Sequence, residues 1–162
     1  MQSSLYSEEE RIDSKLSRQA ISFLVHTLLA LAFWLALMAA GYALNPPGVS
    51  QFFILFMSML VPFAAGNVIN RFRQDEMATA VWLVGLIWIF IIALWILDMP
   101  TGPKQCFQCD ATEKLTRTFL SLPKPSGLID NDGPFLGTWP AAALVGYSIG
   151  ARLGLKRKDP NN

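Results

Sequence analysis

Residues 21–44 read ISFLVHTLLALAFWLALMAAGYAL, without a single Asp, Glu, Lys or Arg. As a helix rising 1.5 Å per residue this run is about 36 Å long, enough to cross a hydrocarbon core of roughly 30 Å. A bilayer offers the backbone no water to bond, so such a run crosses as a helix, with every peptide group satisfied internally. Asn45-Pro46-Pro47-Gly48 then stops it, because proline lacks a donor and restricts the residue before it.

Working outward, the same pattern recurs three times. Residues 52–69 form a second apolar run, too close behind the first for anything but an antiparallel hairpin. Pro62 inside it should kink the helix or free a carbonyl. Asn70 to Glu76 reads as a tight charged loop. Residues 78–97 form a third run carrying Trp82, Trp88 and Trp95, the last near an interface, where indole rings prefer to sit. A fourth run, the least continuous in its apolar length, spans 135–155, with Thr138 as candidate N-cap and Pro140 in the first turn. The fold class is therefore an all-α integral membrane protein with four transmembrane helices and a structured outer loop, 98–137, between the third and fourth.

Composition agrees. The 162-residue chain is 52% apolar and only 15% charged, against about 25% in an average soluble domain. Its mean hydropathy is +0.37. Basic residues gather at the ends of apolar runs, not in a stripe interleaved with aromatics, which excludes a nucleic-acid partner. The lysine and arginine bias orients the chain with both termini in the cytoplasm. Nine basic residues then lie inside (Arg11, Lys15, Arg18, Arg71, Arg73, Arg152, Lys156, Arg157 and Lys158) and four in the outer loop. The expected location is the inner (plasma) membrane of a bacterium.

The polar segments at either end divide from the 21–155 membrane domain. Residues 1–20 predict a cytoplasmic amphipathic helix lying on the membrane surface. Ser7 and Glu10 form a capping box there, and Ile12, Leu16 and Ala20 share one face. Glu8, Glu9, Glu10 and Asp13 argue against a secretory signal, so the first run should be retained as an anchor. Residues 156–162 are a basic tail.

The chemistry-bearing residues are few. Cys106 and Cys109 are the only cysteines. In an oxidising outer space they predict a local disulfide bracing the loop. Thiol–disulfide exchange is the alternative. Four-span oxidoreductases that pass electrons from thiols to quinone use a second outer cysteine pair, and this chain has none. Asp110 directly after Cys109 excludes covalent haem attachment, which needs histidine there. Four zinc ligands are not at hand, so neither metal nor cofactor is expected. Asp110 and Glu113 cap a predicted helix over 111–122 whose inner face is Leu115, Phe119 and Leu122.

No charge lies clearly within a run, which disfavours cation-coupled transport. His26 reads as an interhelical hydrogen-bonding residue rather than a haem or quinone contact, and Asn67 and Asn70 as helix–helix glue. In the fourth run Ala142, Gly146, Gly150 and Gly154 recur every four residues, a face made for close helix packing. No catalytic signature stands alone. The leading expectation is a non-enzymatic accessory or assembly subunit whose partners are lipids and other membrane proteins. Thiol–disulfide exchange comes second. A small receptor or immunity-type protein with a ligand-binding outer loop comes third.

Overall fold

The computed structural model describes residues 2–44, 50–99, 109–120 and 133–155, and among these every element is helical. The helices are α1 (Gln2–Leu44), α2 (Gln51–Arg73), α3 (Trp82–Asp98), α4 (Ala111–Phe119) and α5 (Gly133–Gly154), with a 3-10 turn over Glu76–Ala80 before α3. Three segments are long and apolar enough to cross a membrane: Ile12–Leu44, Phe52–Arg73 and Glu76–Asp98. The chain is thus membrane-embedded. The turn between α2 and α3 marks one end of the bundle, called here the near end; α4 marks the far end.

α1 has no break at residue 20. It runs unbroken through 43 residues, about 65 Å. No Gly or Pro occurs between residues 2 and 40 to stop it. Ser7 therefore lies inside the helix rather than at its cap, and no helix end separates residues 2–20 from the run that follows. Every side chain from Ile12 to Ala20 is exposed, so this stretch stands clear of the other helices. The stop signal at 45–48 lies outside the described residues.

α2 begins at Ser50, whose hydroxyl accepts from the Phe53 N–H at 3.2 Å. It continues through Pro62 and past the expected end at 69. Asn70 to Arg73, read as loop from their polarity, form its last turn. Proline 62 has no N–H for the Ser58 carbonyl, so that bond of the ladder is not made. Gln74 closes the helix in the left-handed region at φ 51°.

α5 is the central helix, with α1, α2, α3 and α4 all packed on it. It starts at Gly133, so Thr138 and Pro140 lie within it rather than at its cap and first turn. The core is built on small residues: Ala30, Ala78, Ala143 and Ala151 are buried with Val81, Leu144 and Tyr147. Towards the far end, Trp34 and Trp139 sandwich a second layer with Ala143. In membrane bundles small side chains gain stability by letting backbones approach, since lipid gives no hydrophobic drive between helices.

Candidate functional site

The closest approach is between α5 and α2. A Cβ on Gly146 would sit 2.3 Å from the Met59 carbonyl oxygen, on Gly150 2.0 Å from that of Phe63, and on Gly154 2.5 Å from that of Asn67. Both series advance by four and in the same direction, so α2 and α5 are parallel neighbours. Gly66 reciprocates from α2, its Cβ position lying 2.3 Å from the Tyr147 carbonyl oxygen. Ala142 continues the row as a half-buried residue. The row thus meets a helix of the same chain.

Two parallel helices end side by side at the near end, and their last carbonyls have no intrahelical donors. Side chains supply them. Asn70 Nδ2 donates to the Ala151 carbonyl at 2.8 Å. Gln74 Nε2 lies within 3.2 Å of three carbonyls, those of Asn70, Arg71 and Gly154. Arg71, Arg73 and Arg152 stand in the two last turns, where positive charge is favourable. Ser148 serves the opposite need, its Oγ accepting the first N–H of α3, from Trp82, at 2.7 Å.

Beside these caps lies a cluster of ionisable groups. His26, fully buried on α1, has Nδ1 2.7 Å from the hydroxyl of fully buried Tyr147 on α5. Its Nε2 is 3.5 Å from Oδ2 of Asp75. Asp75 also accepts from the Ser22 hydroxyl of α1 and from the Met77 N–H at 2.9 Å, while its own N–H donates to Asn70 Oδ1 at 2.8 Å. One carboxylate therefore ties the α2–α3 turn to α1, and one imidazole ties α1 to α5. Partial burial raises the Asp75 pKa, but the Ser22 and Met77 donors and neighbouring His26 outweigh it, and the carboxyl rests below its ordinary value.

The charges around the ring favour one tautomer. An ionised carboxylate only accepts, so Asp75 favours the proton on Nε2 of the neutral imidazole, although at 3.5 Å no hydrogen bond joins the two. Nδ1 is then the acceptor, and Tyr147 donates its O–H to it. What the cluster can do chemically is hold a proton at His26, within reach of Asp75, its half-buried member.

At the far end α4 is clamped from both sides. Asp110 caps it, accepting from the Glu113 N–H at 2.7 Å, as the spacing predicts. Phe119 packs on Ile92 and Ile96 and Leu115 is half-buried, but the buried residues beside them are Lys114 and Thr118; Leu122 lies outside the described residues. Lys114 Nζ donates to the Met99 carbonyl at 2.6 Å, satisfying the end of α3. Thr138 of α5 donates to the Phe119 carbonyl at 2.8 Å, and Gly137 makes room for the Phe119 ring. Cys109 is half-buried against Ile92, Ile96 and Phe119. Cys106, and so the geometry of the pair, lies outside the described residues. No free cysteine occurs among the described ones.

Of the residues singled out in the sequence, the structure brings His26 and Asn70 to one end of the bundle. It places Cys109 at the other. Tyr147, Asp75, Ser22 and Gln74 were missed. A Tyr-Ser pair interrupting the glycine row was the signal available for Tyr147. Among the described residues no group of three or more His, Cys, Asp or Glu side chains is placed to hold a metal. No known protein family, curated protein or solved structure matches the chain.

Proposed function

We propose that the chain is a four-span protein with both termini on the near, cytoplasmic side, and that it serves as an accessory or assembly subunit of a larger membrane complex. The fourth span is α5. Its 22 residues make about 33 Å, a membrane's thickness, and it runs beside α2 in parallel register. A helix enclosed by its neighbours needs less hydropathy than one facing lipid, which accounts for its polar Tyr147 and Ser148. The basic bias carries the orientation. A Cys106–Cys109 disulfide at the root of α4 is supported by the absence of free cysteine among the described residues.

The observation that carries the subunit reading is the overhang of α1. With His26 level with the near-end turn, the 19 residues from Gln2 to Ala20 project about 28 Å beyond it. Ile12 and Leu16 stand on one face of that projection, 56% and 59% exposed. They stand at the start of the Ile12–Leu44 segment, beyond the near-end turn and uncovered by the other helices, an apolar face that suits a protein partner. A photocrosslinker at Leu16 should yield a discrete protein adduct in native membranes, whereas one at lipid-facing Phe90 should not. Equal yields from the two positions, or protein adducts from neither, would sink the reading.

A further inference from the structure

We infer that His26 is a two-position proton switch, which passes from the Tyr147 side of its ring to the Asp75 side when it takes up a second proton. The inference stands apart from the subunit reading, because it concerns how α1 is seated rather than what α1 meets. The observation behind it is the asymmetry of the ring's contacts. The bond to Tyr147 is short, 2.7 Å, and the contact with Asp75 is long, 3.5 Å. That is the arrangement of a neutral imidazole, held by the phenol and only loosely by the carboxylate.

A second proton can enter only at Nδ1, since Nε2 already carries one. Nδ1 then becomes a donor, and the Tyr147 hydroxyl proton loses its acceptor. At the same moment the ring becomes a cation facing Asp75, and charge-assisted N–H···O contacts close to about 2.7–2.9 Å. The ring is drawn some 0.7 Å towards the turn. Every group around it either takes part or modulates the step. From α1 there is Ser22, which shares Oδ2 of Asp75. From the turn there is Asp75, from α5 Tyr147, and from the end of α2 the cationic Arg73.

The movement matters because His26 sits where α1 leaves the bundle. Trp34, buried two turns further along, holds the helix about 12 Å away. The start of α1 is about 48 Å from the same residue, so a rigid helix magnifies a shift of ~0.7 Å at His26 to ~3 Å at its tip. Acidity on the near side is thereby coupled to the attitude of the overhang.

The chain contains one histidine, so a ¹⁵N-histidine label in lipid nanodiscs gives a single imidazole. Titration from about pH 8 to about pH 5 brackets the ordinary imidazole value of about 6.5. The expected start is the Nε2-protonated tautomer, passing to the doubly protonated ring with the Met77 amide, a donor to the same carboxylate, shifting at the same midpoint. Asp75→Asn removes the charged destination and moves the midpoint to lower pH. Tyr147→Phe removes the neutral form's donor and moves it to higher pH. An Nδ1-protonated starting tautomer overturns the proposal. So does a ring that stays neutral throughout, a Met77 amide that ignores the transition, or variants that shift the midpoint in the same direction. The tautomer and the Met77 response need no variant, so a substitution that fails to fold does not shelter the idea.

Discussion

Replacing Gly150 by alanine adds one methyl group where the structure has no room for it. The new Cβ would stand 2.0 Å from the Phe63 carbonyl oxygen, 2.8 Å from its carbon and 3.0 Å from the Asn67 nitrogen. All three are backbone atoms of a packed helix, so no side chain can swing aside. An ordinary C···O contact is about 3.3 Å or more, so α2 and α5 must part locally by ~1.3 Å. Parting there also lifts Gly146 and Gly154 from their carbonyls. Overpacking of this kind costs about 1–3 kcal/mol, which raises the unfolded fraction about 5- to 150-fold. SDS titration in mixed micelles, followed by tryptophan fluorescence from Trp34 and Trp139, reads that change. The clash distances also set an order among the substitutions to alanine. Gly150 should suffer most, then Gly146 and Gly66 at 2.3 Å, then Gly154 at 2.5 Å, with Gly85 at 3.3 Å mild. Gly41, which has nothing within 4 Å, should be neutral or slightly stabilised, since alanine favours a helix by about 0.5–1 kcal/mol. A Gly150→Ala protein as resistant as the Gly41→Ala protein would refute the parallel α2–α5 contact. The same logic changes what a bulky residue at 150 tests. Loss of a complex would follow loss of the fold, in proportion to the folded fraction, and would not mark position 150 as the partner's seat.

Four further outcomes follow from individual contacts. Asn70→Leu strips both the Ala151 carbonyl and the Asp75 N–H of their partner, and should cost about 1–3 kcal/mol in the same SDS titration. Ser58→Ala should be neutral or stabilising there, because the buried Ser58 hydroxyl has no hydrogen-bond partner in the structure. Lys114→Met keeps the apolar stem but removes the donor to the Met99 carbonyl. Charged hydrogen bonds contribute about 1.5–3 kcal/mol, so amide exchange within α4 should quicken about 10- to 150-fold while α2 exchanges as before. Asp75, with its pKa below the ordinary value in the folded protein, contributes stability that is complete above the unfolded value of about 3.9 and lost as pH falls through the lower, folded value. Between pH ~4 and lower pH the native chain should therefore lose stability that an Asp75→Asn chain never had. Parallel loss in the two chains would show that the carboxylate is not the group responsible.

The three apolar segments were legible because lipid imposes a simple demand, an unbroken run of the right length. Their ends were less so. Asn70 to Arg73 look like loop by polarity, yet they are helix, because Asn70 and Gln74 spend their amides on the carbonyls of two helices rather than on water. The first twenty residues look like a separate element by composition, yet with no Gly or Pro before Gly41 nothing interrupts the helix. In α4 the apolar pattern named Leu115 and Phe119 as the inner face. Phe119 does pack on Ile92 and Ile96, but the unmet carbonyls at the end of α3 draw Lys114 inward beside it, which its polarity hides. The glycine row announced a close contact without naming its partner, since small residues lower the barrier to approach equally for every neighbour. His26 and Tyr147 are 121 positions apart, and no local pattern joins them. Their meeting depends on α5 lying parallel to α2, which only tertiary packing decides.

That parallel pairing also bears on the proposed orientation. Arg71, Arg73 and Arg152 were counted towards the cytoplasmic excess, but each lies in the last turn of α2 or α5. Two helix C-termini side by side concentrate negative partial charge there, and cations are favoured at such a spot whichever compartment it faces. Those three arginines therefore have a local cause and lend the orientation less weight than their number implies. Set them aside, and the sequence leaves six basic residues before the first apolar run and after the last, at positions 11, 15, 18, 156, 157 and 158, against four between the third and fourth. The bias keeps its sign. Its weight, however, shifts onto the overhang of α1 and the basic tail, so the residues proposed to meet a partner also carry half of the remaining topological signal. Neutralising Arg11, Lys15 and Arg18 together would thus press on topology and on assembly at once, whereas replacing the apolar Ile12 and Leu16 touches assembly alone.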